Sequence, residues 1–323
     1  MEPTTQTNTI EFQFANGDNM PAFGLGTWKS KPGEVKAAVY QAIKAGYRHI
    51  DCAEIYDNQN EVGEGIRRAI DEGICKREDL WITSKLWNTD HKKDRVEPAL
   101  KRINDQLGLD YLDLFLIHWP VALREGMMFP KEPYDLLSLK EVPLTDTWEG
   151  MAKCKDKGLA KHIGVSNFNQ NHLAELLNHG PAPEMNQIEL HPYLQQQELL
   201  NYCSQNDIFV TAYSPLGSTD RPKQMKKDDE PLLHENKTVK SIAEKHGVTP
   251  YLILIAWALN RGTAVIPKST NPDHIKSNLK ALDIKFDRDD LAELSQLDRG
   301  YRFVDGSFWA MEGSPYTLES LWG

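Results

Sequence analysis

Four ionisable side chains stand at or just past the ends of consecutive apolar runs. Asp51 and Tyr56 follow from "RHIDCA", Lys85 lies in "LWITSKL" and His118 in "LDLFLIHW". Singly, each has an ordinary reading. Asp51 caps a helix, the polar stretch up to Tyr56 is a hydrated turn, Lys85 is a surface charge, and His118 before Trp119-Pro120 is a core histidine. Together they make a proton-delivery set. A phenol with an ordinary pKa near ~10 is a proton donor, but a reluctant one. An ammonium about 4 Å away would favour the phenolate by roughly 4 kcal/mol at an effective dielectric constant near ~20. That would draw Tyr56 toward the operating pH, where a general acid works best. Asp51 would keep Lys85 charged, because an isolated buried lysine sheds its proton. His118, neutral beside Trp119, would hydrogen-bond and orient the same oxygen. Such a set protonates a carbonyl oxygen while something else attacks the carbon.

The chain shows no attacker of its own. "GVSNF" lacks the second glycine of a G-x-S-x-G elbow, and H-E-x-x-H, H-x-H and Walker A patterns are absent, so neither a serine nucleophile nor a metal is expected. Hydride delivery from a bound cofactor is the chemistry this leaves in view.

Residues so far apart in the chain must be gathered by the fold. Eight short apolar runs recur, each followed by a polar turn and a stretch of helical periodicity: 22–28, 48–53, 80–86, 112–119, 161–167, 185–190, 207–214 and 263–269. Runs apolar on both faces point to a parallel sheet, and eight of them close a (β/α)8 barrel, whose functional groups gather at the C-terminal mouth. A doubly wound open sheet is the competitor, but "GLGTWKSKPG" lacks the expected G-x-G-x-x-G. Ahead of the first unit, Asn16-Gly17 between alternating residues predicts a type I′ hairpin over about 9–21, covering the barrel floor. One domain over 1–323 is expected, since no Pro/Gly/Ser-rich linker divides the chain. The strand ends collect Thr27-Trp28, Ser166-Asn167, Gln187, Tyr213-Ser214 and Lys268-Ser269 beside the four groups above.

Composition narrows the partners. A net charge of −10, with the basic run "RPKQMKK" answered at once by "DDE", argues against nucleic acid and anionic membranes. The longest apolar run, "YLILIAWAL", is about half a membrane span. Four scattered cysteines without C-x-x-C, and a start without an apolar leader, lead us to expect a cytoplasmic protein with reduced thiols.

The segments "FGLGTW", "DCAEIYDNQNEVGEGI", "SKLWN", "LFLIHWP", "GVSNFN", "QIELHPY", "YSPLGS" and "IPKS" together resemble the aldo-keto reductases, in particular the aldose, aldehyde and xylose reductase branch, from about residue 10 to about residue 300. The resemblance implies an NADPH-linked, metal-free reductase of an aldehyde or ketone. By position Asp51, Tyr56, Lys85 and His118 match the catalytic tetrad, with Tyr56 the acid. It implies further that Tyr213 stacks on the nicotinamide and that Ser166, Asn167 and Gln187 hold the carboxamide. Ser214, Leu216 and Ser218 would clasp the pyrophosphate, Lys268 and Ser269 the 2′-phosphate, and Asn278 the adenine. Gly26, Thr27, Trp28 and Asp51 complete the cofactor contacts. Trp28, Tyr56, His118, Trp119, Phe308 and Trp309 would wall the substrate pocket, and a monomer is the expected state.

Two departures bear on the cofactor. His274 occupies the place of an arginine on the 2′-phosphate, and Ser277 that of an acid facing adenine. A neutral imidazole does not replace a guanidinium fork. Losing one charge-assisted contact costs roughly 1.5–3 kcal/mol, so NADH should be tolerated better than is usual. His274 should also make NADPH binding tighten as pH falls through about 6.5. Three long segments, 120–146, 214–236 and 301–323, are expected as two substrate walls and a strap over the cofactor. A rival reading is a barrel of the same fold that binds the dinucleotide as a redox sensor without appreciable turnover.

Overall fold

Runs apolar on both faces must be covered on both faces, and that requirement sets the architecture. A computed structural model describes residues 10–222 and 225–323. The stretch read for targeting signals, residue 9 of the expected hairpin and positions 223 and 224 of the strap lie outside it. The chain opens with a hairpin of β1 (Glu11–Gln13) and β2 (Asn19–Pro21). The barrel strands then begin with β3 (Gly24–Gly26), β4 (His49–Asp51), β5 (Trp81–Leu86) and β6 (Leu112–Ile117). A ribbon of β7 (Ala122–Leu123) and β8 (Leu136–Leu137) intervenes. β9 (Ala160–Ser166), β10 (Met185–Glu189), β11 (Phe209–Tyr213) and β12 (Ala264–Val265) complete the set. All six residues of β5 and of β6 are buried, as a strand flanked by core and helices must be.

The eight barrel strands pair in parallel and in chain order from β3 to β12. Bridges Phe23↔Val265 and Gly26↔Lys268 join the first to the last and close the cylinder. Gly26 is required at that seam, because a Cβ there would lie 2.8 Å from the carbonyl oxygen of Ile266. The chain is a (β/α)8 barrel. Helices follow the strands, from α1 (Glu34–Ala45) and α2 (Gln59–Asp71) to α3 (Lys93–Leu107) and α4 (Leu144–Asp156). α5 (Gln170–Leu177), α6 (Gln197–Gln205), α7 (Lys237–His246), α8 (Pro250–Asn260) and α9 (Pro272–Asn278) continue the ring. α10 (Arg288–Ser295) and α11 (Leu318–Trp322) follow the last barrel unit. α8 is apolar almost throughout and buries eight of its residues, which accounts for the longest apolar run of the sequence. No helix of the described residues is long and apolar enough to cross a membrane.

The hairpin forms, but its turn differs from the expected one. A type I′ turn needs positive φ at both central residues. Here only Gly17 is left-handed, at φ 91°, and the Gly17 N–H donates to the Phe14 carbonyl at 2.9 Å. This is a type I turn with a left-handed glycine after it, stabilised by Asn16, whose Oδ1 accepts the Asp18 N–H at 3.1 Å. Phe14 then packs on Trp81, His162 and Phe209, and His162 bridges Asp18 at 3.0 Å and Glu184 at 2.7 Å, so the hairpin is bolted to the floor.

Burial holds several histidines neutral. It pushes His91 down to about 3 and His172 down to about 4, and it lowers His49 and His118 as well. Below pH 6.5 the unfolded chain therefore binds protons that the folded chain refuses. Stability is undiminished above that pH and is lost as pH falls toward the depressed values, by about 1.4 kcal/mol per pH unit for each histidine. Urea unfolding at pH 7, 6 and 5 should show a decline equivalent to two or more protons. A flat profile from pH 6.5 to 5 would contradict it.

Candidate active site

Three consecutive strands bring the four ionisable groups together at the mouth. β4 ends on Asp51, β5 carries Lys85, and His118 follows β6. Tyr56 sits on a 3-10 turn, Glu54–Tyr56, between β4 and α2. Lys85 is wholly buried and donates to Asp51 Oδ1 at 2.6 Å and to the Cys52 carbonyl at 2.8 Å. Gln187 Nε2 donates to the other oxygen, Asp51 Oδ2, at 2.7 Å. The carboxylate is thus saturated, as a buried ion pair must be to survive desolvation. The Tyr56 ring lies 5.3 Å from Lys85 Nζ and meets His118 edge-on at 5.9 Å.

The electrostatics correct one expectation. Tyr56 is held well above the ordinary tyrosine range, first by burial and then by the negative charge of Asp51. An unpaired ammonium would have acted the other way, but Lys85 spends its charge on a carboxylate 2.6 Å away. His118 is pushed well below the usual histidine range by burial and by the positive charge of Lys85, so it is neutral as expected. The site holds two neutral hydrogen-bonding rings above a buried ion pair.

Along the adjoining wall the polar groups fix one another. Ser166 Oγ donates to the Gln187 carbonyl at 2.9 Å, and Asn167 Nδ2 to the His118 carbonyl at 2.9 Å. The Tyr213 hydroxyl donates to Asn167 Oδ1 at 2.7 Å, which fixes the ring at the cavity edge. Thr27 Oγ1 donates to the Asp51 carbonyl at 2.9 Å. Lys29, Asn167, Ser214 and Ser218 all adopt positive φ and all line the cavity. Non-glycine residues held there cost energy, and strain of this kind gathers at functional sites.

At the far end a strap crosses the cavity. Asp220 receives Lys29 on one oxygen and Lys268 on the other, the latter at 3.3 Å, while Lys29 also donates to Ser218 Oγ at 2.7 Å. Burial brings Lys29 down to about 8, against the pull of Asp220 and helped by the neighbouring charge of Lys268. Two ammonium groups sharing one carboxylate leave the place short of negative charge, and a phosphate in the cavity would suit it.

The cavity measures about 460 Å³, within the usual range for small-molecule sites. Its lining includes every expected tetrad, cofactor and substrate residue except three. Lys85 lies outside the lining and meets it through its ion pair with Asp51. Asn278 is buried at the end of α9, outside the cavity lining. Trp309 is fully buried behind the wall, 5.8 Å from Trp119 and 4.8 Å from Phe308, and packs against those rings. His274 and Ser269 reach the cavity, as expected. Sequence reasoning missed Lys29, Trp87, Phe129 and Asp220, all of which line it. Lys29 and Trp87 lie one or two positions beyond residues already singled out, so the strand-end rule extended slightly would have found them. Phe129 and Asp220 sit inside long loops, where no periodic signal marks them.

Comparison with known proteins agrees with this geometry. The model of the aldo/keto reductase family matches residues 21–299. The chain is 47% identical over 324 residues to "Aldo/keto reductase slr0942" of Synechocystis sp. (strain ATCC 27184 / PCC 6803 / Kazusa), covering 100% of this chain and 99% of that protein. It is 44% identical over 292 residues to "Aldo-keto reductase family 1 member A1" of Gallus gallus, covering 90% and 89%. The protein of the same name from Homo sapiens is 43% identical over 291 residues, covering 89% of each chain.

Proposed function

Since this chain belongs to the aldo/keto reductase family, we propose that it reduces an aldehyde to an alcohol with NADPH, Tyr56 being the proton donor. The observation that carries this reading is a neutral phenol and a neutral imidazole meeting at 5.9 Å over the Lys85–Asp51 pair at the cavity wall. The bound dinucleotide would supply the hydride. Lys29, Lys268, Ser218 and Ser269 would hold its phosphates, with His274 beside them. Ser166, Asn167 and Gln187 would meet its carboxamide, and Tyr213 its ring.

His118 and Tyr56 would both donate to the substrate carbonyl oxygen and so fix its position. As negative charge grows there, the oxygen becomes a base comparable to hydroxide, whose conjugate acid has a pKa of about 15.7. Even a phenol raised by burial is the stronger acid by comparison, so the proton passes from Tyr56 to the alkoxide. Lys85, held in place by Asp51, is the cation nearest the phenolate left behind, and the alcohol departs. A saturated, immobile ion pair needs no reorganisation at that moment.

Trp28, Trp87, Trp119, Phe129 and Phe308 line the substrate side. Tyr56 and His118 are the polar groups among them, so the pocket favours aromatic and apolar aldehydes over sugars and acids. Absorbance at 340 nm should fall when purified protein, NADPH and 4-nitrobenzaldehyde are mixed, with a lower KM than for xylose. With His274 in place of an arginine, NADPH should be favoured over NADH by less than a thousandfold in kcat/KM at pH 7.5. No oxidation of either cofactor with any carbonyl would end the proposal.

A further inference from the structure

Glu189 ends β10 close to the cavity yet does not line it, and nothing in the proton-delivery set touches it. Its side chain is fully buried. Oε1 accepts the Phe303 N–H at 2.6 Å and His191 Nε2 at 2.8 Å, and Oε2 accepts the Val304 N–H at 2.8 Å. An apolar residue would fill a strand end at lower cost than a desolvated carboxylate, so the charge has to be explained by what it holds. What it holds is the first step of the tail.

The two amides lead in different directions. Val304 is itself a cavity wall, and Phe308 follows it on the substrate side. Phe303 faces the strap. A Cβ on Gly217 would come within 3.1 Å of its ring, and the Arg221 guanidinium lies 5.3 Å above it. Arg221 in turn donates to the Gly217 and Ser218 carbonyls at 3.0 Å, shaping the strap where it crosses the cavity. In the sheet, Glu189 pairs in register with Tyr213. One carboxylate, on the residue paired with Tyr213, therefore joins the substrate wall to the seat of the strap.

We propose that Glu189 is a positioning residue, whose grip on the Phe303 and Val304 amides sets the substrate wall and the strap as a single unit. This rests on the reading above that the cavity takes an aldehyde beside a dinucleotide. The Glu189→Gln variant keeps the volume but turns an acceptor toward the tail into a donor. In the full-length variant the KM for 4-nitrobenzaldehyde should rise at least tenfold, with kcat and the KM for glyceraldehyde within threefold. NADP⁺ release, followed by stopped-flow fluorescence, should quicken at least threefold. Unchanged aldehyde discrimination, or both KM values rising together, would overturn the proposal. Should Glu189→Gln fail to fold, Phe303→Ala leaves the carboxylate in place, and it should quicken NADP⁺ release. Release at the wild-type rate would count against coupling. Hydrogen exchange of the wild-type chain gives a test independent of turnover: the Phe303 and Val304 amides should exchange at least a hundredfold slower than free peptide, and unprotected amides would refute the anchor. A wild-type chain that reduces no aldehyde but protects both amides would defeat the functional reading and not the anchor.

Discussion

Replacing Tyr56 with phenylalanine should lower kcat for aldehyde reduction by roughly 10²–10⁴-fold, the range open to a well-placed general acid. NADPH affinity, measured by quenching of tryptophan fluorescence, should stay within about twofold, because the edit removes one oxygen and leaves the ring between Trp28 and His118. The pH profile separates this role from a merely steric one. Tyr56 is raised well above, and His118 lowered well below, their ordinary values, so neither changes protonation between pH 6.5 and 9. Wild-type kcat at saturating substrate should be level across that window. A Tyr56→Phe enzyme that keeps a tenth of the wild-type kcat would show that the proton comes from elsewhere.

Lys85→Met should damage stability as well as turnover. The variant strands a buried carboxylate that has lost its counter-charge, which costs about 3–5 kcal/mol. Urea unfolding should register that loss, and activity should fall with it because the phenolate loses its stabilising cation. The double variant Asp51→Asn with Lys85→Met removes both charges. It should recover most of the stability, since replacing a buried pair outright is often neutral, while remaining inactive. Recovery of activity along with stability would mean that the pair is structural only. A loss below about 1 kcal/mol in the single variant would mean that the pair is not desolvated.

The barrel and the meeting of four groups at its mouth were legible because they depend on types and order alone. Eight apolar runs had to pair, and strand ends had to share one face. What failed was whatever depended on distance. Tyr56 is raised and not lowered because burial and the charge of Asp51 outweigh the ammonium, and a chain of letters shows neither how dry the phenol is nor how near the carboxylate stands. Asn16-Gly17 announced a turn, but which turn depended on the extra residue that the strand register admits. In the tail, beyond the residues matched by the family, alternating aromatics gave no way to tell Phe308, on the wall, from Trp309, behind it. The ion pairs of Asp220 with Lys29 and Lys268 join segments that only folding brings together.

The join between β3 and β12 has a consequence for the whole cylinder. It is held by two bridges, and β12 is only two residues long, followed closely by Pro267, which has no N–H to give. One of its two bridges is Gly26 to Lys268, and Lys268 is also the proposed hand on the phosphate. A dinucleotide held there would act as a rivet through the closing stave of the barrel, so that the molecule's mechanical soundness and its readiness for work would rise and fall with the same bound anion.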